Sequence, residues 1–231
     1  GVGNGLQDHP AYPVTFTGTE TIRAEMTAFA EAGGLMREEG TTALASSGRC
    51  TGPFDLHLYP VATRPHGGSD WRFAVATAVM EPRSRGSIRL GGRDPEAQPI
   101  IDTGYLSDPD GYDLDALLDG IEMARALGAA SALGEERVPG PGVRNRDTLR
   151  DLVHRTHTHD YHPSSSCLMG PAANPNSVVD VDGRVHGLQG VAVADLSIAP
   201  NVPRANTNIP ALVTALRVAD RLIGVPPPGI A

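Results

Sequence analysis

Half of the chain's eight histidines, His154, His157, His159 and His162, fall within one short stretch. The segment that carries them, "HRTHTHDYHPSSSCLMG", runs on through Pro163, three serines, Cys167 and a Met-Gly pair. Neutral imidazole supports two kinds of chemistry, metal ligation and proton transfer near neutral pH. A helix would bring His154 and His157 together, but it cannot continue into Pro163. The alternation of Thr156, Thr158 and Asp160 with His157, His159 and Tyr161 reads instead as a strand. On a strand His157 and His159 share one face and His162 takes the other. A four-histidine shell does not close in that arrangement, and no metal ligand is assigned. His154, His157 and His159 are read as surface or hydrogen-bonded structural residues. His162 differs, because a stiff, non-helical backbone before a proline and a serine turn aims a side chain into a cleft. There it has the character of a general base for a hydroxyl proton.

Such a base has to be held by a folded frame, and the composition provides for one. The sequence has 231 residues, 40% of them hydrophobic, enough for one large domain or two small ones. A formal net charge of −8 without any Lys/Arg run argues against nucleic-acid binding. No apolar run approaches the roughly 20 residues of a membrane span, and no signal sequence opens the chain, so the expected compartment is the cytoplasm. Cys50 and Cys167 have neither CxxC spacing nor the density of a disulfide framework and are read as free thiols. The opening "GVGNGLQDHP" reads as the middle of a fold, as if the chain were a piece of a longer protein.

Alternation from Tyr12 to Arg23 predicts a strand, followed by a helix from Ala24 to Arg37. "FDLHLYPVAT", "WRFAVATAVM" and the shorter "GSIRLGG" read as successive strands joined by Gly/Pro-rich turns, hence an antiparallel sheet. Apolar residues at three- and four-residue spacing predict a helix from Leu114 to Leu127 that covers one sheet face. Asp147 is expected to cap a short helix reaching about His154. "SVVDVDGRVHGLQGVAVADLSIAP" reads as short strands separated by Asp-Gly and Gln-Gly turns. A final helix is expected from Pro210 to Ile223, with Leu212, Leu216, Ala219 and Ile223 as its apolar stripe, ended by Gly224 and a triple proline. The fold class expected is α+β.

Four ordered blocks resemble the glucose-methanol-choline (GMC) oxidoreductase family. "YHPSSSCLMG" (161–170) is similar to its His-Pro-x-Gly-Thr-Cys-x-Met-Gly signature, and 178–223 to its C-terminal block. "GVGNGLQDHP" resembles the Gly-Val-Gly-x-Asn-Leu-Gln-Asp-His segment, and 82–102 with 105–121 the middle region. Two departures are visible: Ser165-Ser166 stand where the signature has Gly-Thr, and Gly5 stands where the first block has Asn. The resemblance implies a tail of an FAD-binding domain over 1–10, a substrate-binding domain over 11–162 and a return into the FAD-binding α/β domain over 163–231. The G-x-G-x-x-G turn that cradles the FAD diphosphate in relatives is missing from this sequence. The expected partner is therefore the N-terminal FAD-binding part of the same enzyme, as a separate chain or a missing segment.

Residue by residue, the resemblance makes His162 the base that takes a substrate hydroxyl proton while hydride passes to flavin N5. Asn206 becomes the amide that orients the alcohol. Asp195 and Leu196 match the positions that approach the FAD linker, although an Asp after an apolar strand is more often a turn or cap residue. Thr207, Asn208 and Ile209 lead into the final helix, where unpaired amides and the positive helix end lie; in the resemblance that end faces the flavin edge that gathers negative charge. His57 is placed either lining the substrate pocket or exposed on the sheet, and Cys167 is read as packing. The function expected is FAD-dependent oxidation of a primary or secondary alcohol. Two alternatives stand beside it: a hydroxynitrile-lyase-like enzyme using the same histidine for C–C cleavage, and a non-catalytic His-rich metal-binding module.

Overall fold

The computed structural model describes residues 1–35, 40–64, 70–131 and 133–224. Along the chain these form β1 (Asn4–Leu6), β2 (Pro10–Phe16), α1 (Glu20–Glu31), β3 (Ala43–Ala45), β4 (Leu56–Thr63), β5 (Arg72–Val79), β6 (Gly86–Arg89) and β7 (Ile100–Asp102). They continue as α2 (Tyr112–Ala130), β8 (Glu136–Val138), α3 (Arg146–Thr156), β9 (Thr158–His159) and α4 (Asn208–Leu222). The fold is α+β with antiparallel pairing throughout the named strands. The chain divides into two units. One comprises Gly1–His9, Glu81–Asp110 and Tyr161–Ala231; the other comprises Pro10–Met80 and Gly111–Asp160. Residues 81–110, which the sequence reading ran into a domain spanning 11–162, thus group with the two ends of the chain. For the same reason β6 does not extend the main sheet but lies between β1 and β7 in a separate three-stranded one.

The second unit is built on a sheet ordered β3-β4-β5-β2-β8, with β9 also pairing to β2. In β5 every residue after Arg72 is buried, so both faces of this central strand are covered and its sequence is a near-continuous apolar run. Helix α2 supplies one cover. Its Ala116, Leu117, Leu118, Ile121 and Ala124 are fully buried, each of the larger ones contributing about 1.5–3 kcal/mol of apolar burial. The helix lies very close to the sheet: a Cβ at Gly120 would sit 2.2 Å from Thr77 Oγ1, and one at Gly128 2.0 Å from Phe16 Cζ.

The expected strand from Tyr12 to Arg23 ends at Phe16. Gly18 turns the chain with φ 74°, and the Thr19 side chain accepts the Ile22 amide as the N-cap of α1. The alternating Thr-Gly-Thr-Glu-Thr that looks like strand is therefore a turn and a cap. Helix α1 starts at Glu20 and ends at Glu31 with Ala32 as its C-cap, before the glycine pair Gly33-Gly34 and short of the expected Arg37; Arg37 itself lies outside the described residues, as does the triple proline. The cap of α3 is Asn145, whose Oδ1 accepts from the amides of Asp147 and Thr148, and Asp147 occupies the first turn instead.

In the first unit, the stretch read as short strands after residue 177 holds isolated bridges: Met169 to Val179, Val179 to Val185 and Arg184 to Ala192. Val178, Val179, Ile198 and Val218 form its core, with Cys167 and Met169 packed against them. Both cysteines are free thiols. Helix α4 exists as predicted, two residues longer at its start, but its stripe is reversed in role. Leu212, Leu216 and Ile223 are exposed, and Val218 is the buried residue.

Candidate functional site

The histidine-rich segment is divided by secondary structure. His154 lies in the last turn of α3, and His157 is its C-cap, with Nδ1 3.2–3.3 Å from the carbonyls of His154 and Val153. His159 belongs to the two-residue strand β9, opposite Pro10 of β2. His57 is buried on β4 between Leu44 and Ala78, its ring 5.0 Å from that of Tyr59. The exposed alternative for it is thereby overturned, since only 6% of the residue is accessible. The Tyr59 hydroxyl donates to Asp160 Oδ1 at 2.8 Å.

His162 stands apart in the other unit, where three of the blocks named from sequence meet. The Gln7 and Ser164 backbones exchange hydrogen bonds of 3.0 and 2.9 Å, and the Gly3 amide donates to Ser166 O at 2.7 Å. On the other side the amides of Ser165, Cys167 and Met169 donate to the carbonyls of Leu196, Ser197 and Ile198. The Gln7 side chain reaches further, donating to Pro200 O and accepting from the Val202 amide, both at 3.2 Å. The segment around His162 is thus held between the start of the chain and residues 195–202. Two non-glycine residues with left-handed backbone bracket it: Tyr161 at φ 60° and Ser165 at φ 70°. Such conformations cost about 1–3 kcal/mol and persist where the surroundings over-determine them.

His9 lies in the first block, and nothing in the local sequence assigns it a role. The structure places its Nδ1 2.9 Å from Nδ1 of His162, the rings edge-on at 83° with centroids 5.1 Å apart. Asp8 organises the pair. Its Oδ1 accepts the His9 amide at 2.7 Å and the His162 amide at 2.8 Å, and its Oδ2 accepts the Tyr105 hydroxyl at 2.6 Å. The available signal was an Asp-His pair closing a glycine-rich turn, a place where an imidazole is directed by backbone instead of by a helix face.

Asp195 caps a short 3₁₀ turn, Leu196–Ile198, by accepting the Ser197 amide at 2.8 Å, and Leu196 is buried. Asn206 is exposed in the turn just before α4. Thr207 is the N-cap of α4 but makes no side-chain cap hydrogen bond, and Asn208 and Ile209 open the helix as exposed residues. A 15-residue helix whose N-cap makes no side-chain cap hydrogen bond presents partial positive charge at its start. Such an end is suited to negative charge in general, and this sequence does not contain the G-x-G-x-x-G spacing.

The family profile described as GMC oxidoreductase matches residues 82–215. The chain is 34% identical to choline oxidase from Arthrobacter globiformis over 95% of its own length and 41% of that protein. It is 37% identical to an oxygen-dependent choline dehydrogenase from Paraburkholderia xenovorans, over 73% of this chain and 30% of that one. Among solved structures it is similar in fold to pyridoxine 4-oxidase from Mesorbium loti, with a TM-score of 0.70 at 21% identity, covering 94% of this chain and 42% of the other. The chain therefore spans less than half the length of these relatives. The cofactor of these relatives and structural neighbours is FAD.

Proposed function

The chain belongs to the GMC oxidoreductase family, and on that premise we propose that it is the C-terminal portion of an FAD-dependent enzyme that oxidises a primary or secondary alcohol to a carbonyl. In this reading residues 10–80 and 111–160 form the substrate-side domain, and the N-terminal FAD-binding part of the enzyme is the partner. FAD, when bound, supplies the hydride acceptor. Everything else falls to residues on this chain. His162 takes the hydroxyl proton on a ring nitrogen, which makes the departing hydride an alkoxide's instead of an alcohol's. Asn206 offers an amide that orients the substrate oxygen. The start of α4, Thr207 to Ile209, stabilises negative charge beside it, and Asp195 and Leu196 contribute to the cofactor-linker side.

The observation that supports this reading most is the joining of the His162 segment to both the first block and residues 195–202 by backbone hydrogen bonds. This framework holds a base at a fixed place, as a proton-transfer step demands. Similarity to an enzyme named for choline, itself an alcohol, agrees with the substrate class. The test is anaerobic mixing of the flavin-loaded enzyme with alcohols. Replacing His162 by Ala is expected to slow flavin bleaching by about 10²–10⁴-fold; bleaching at the wild-type rate would overturn the assignment.

A further inference from the structure

We propose that His9 is a positioning residue that sets the tautomer of His162. This inference rests on the reading of His162 as the base. At 2.9 Å the two Nδ1 atoms are within hydrogen-bond distance, and such a pair holds one proton: two N–H groups would repel, and two lone pairs would not bond. If the proton sits on His9 Nδ1, neutral His162 carries its own proton on Nε2, and its only lone pair is committed to His9. No nitrogen is then left for a substrate. If the proton sits on His162 Nδ1, the His9 lone pair accepts it and His162 Nε2 is left basic. Only the second arrangement is productive.

The surroundings make that arrangement rigid. His9 is fully buried, so its ring cannot swing into solvent. One oxygen of Asp8 accepts both histidine amides, and the Tyr105 hydroxyl fixes the other oxygen. Each imidazole is therefore set by its backbone, and the near-perpendicular rings bring one nitrogen of each together. When His162 takes up a proton, its Nδ1–H remains donated to His9, now as a charge-assisted bond, which is the stronger kind. The acceptor is a neutral ring where a carboxylate would serve the same end.

Three measurements on the flavin-loaded enzyme, complete with its N-terminal part, test this. His9→Phe, which keeps a ring but offers no acceptor, is expected to lower the limiting rate of flavin reduction about 10²-fold with little change in KM. It should also move the acid limb of the kcat/KM profile, where His162 becomes protonated, to lower pH, because protonated His162 loses its acceptor. His9→Asn, whose Oδ1 stands near the position of Nδ1, is expected to recover most of the rate and the limb. Nitrogen NMR of histidine-labelled wild-type enzyme should show His162 protonated at Nδ1 and bare at Nε2, a readout independent of how any variant folds. A His9→Phe enzyme with wild-type rate and pH limb, or a His162 protonated at Nε2 alone, overturns the proposal. If the His162→Ala enzyme still bleaches at the wild-type rate, it is the reading of the base that falls.

Discussion

Ser165 and Gly5 exchange residue types at two left-handed positions beside the His162 segment. Ser165, at φ 70°, stands where the family signature has glycine, and Gly5, at φ 79°, stands where the first block has asparagine. Glycine adopts this backbone freely, asparagine tolerates it, and serine pays for it. The Ser165 hydroxyl is also buried without a hydrogen-bond partner. Ser165→Gly is therefore expected to stabilise the chain by about 1 kcal/mol, raising the melting temperature by about 2–4 °C in a scan of wild type against variant. Sequence reached His162 because a proline and a serine turn advertise a fixed, non-helical side chain. It did not reach His9, since the contact joins residues 153 positions apart and leaves no local periodicity. The same applies to His57, whose burial depends on two partner strands that its own alternation cannot name.

Among the elements, α2 was legible because its apolar spacing and its burial coincide, the predicted Leu114–Leu127 lying inside Tyr112–Ala130. The boundary between β2 and α1 was not, because threonine and glutamate serve equally in an exposed strand and in a cap. Where α2 begins, its Tyr112 hydroxyl donates to Asp55 Oδ2 at 2.7 Å, and the Ser47 amide and hydroxyl donate to the same carboxylate at 2.7 and 2.6 Å. Burial alone would raise the Asp55 pKa, but these hydrogen bonds from Ser47 and Tyr112, with one from Cys50, outweigh it and hold the carboxyl below its ordinary 3.8. A carboxyl lowered in the folded state contributes stability that is fully present above about 3.8 and is lost as the pH falls through the lower folded value. Urea midpoints measured from pH 7 down to about 2 should therefore fall at the acid end. Asp55→Asn should lower the midpoint at neutral pH, by about 2 kcal/mol of stability, and flatten that acid dependence.

For the whole molecule, the informative surface is α4. A helix this apolar on its open side, with Leu212, Val213 and Leu216 exposed, was predicted from its stripe as a packed element. Under the proposed function that side meets the N-terminal FAD-binding part. Leu212→Glu with Leu216→Glu should leave the far-ultraviolet dichroism of this chain unchanged and reduce flavin-loaded complex formation by at least about tenfold, measured by gel filtration monitored at the flavin band; an undiminished complex would refute that use of the face. No helix among the described residues is long and apolar enough to cross a membrane. The pairing of Pro10 with His159 also bears on how the molecule acquires its chemistry. Closing a loop of some 150 residues to bring His9 to His162 carries an entropic cost that rises with loop length. Once β2 and β9 have zipped, however, the two histidines are separated by a handful of residues on either side of a formed rung. With that rung formed, the loop left to close between the two histidines is short, and the entropic cost of closing it is correspondingly small.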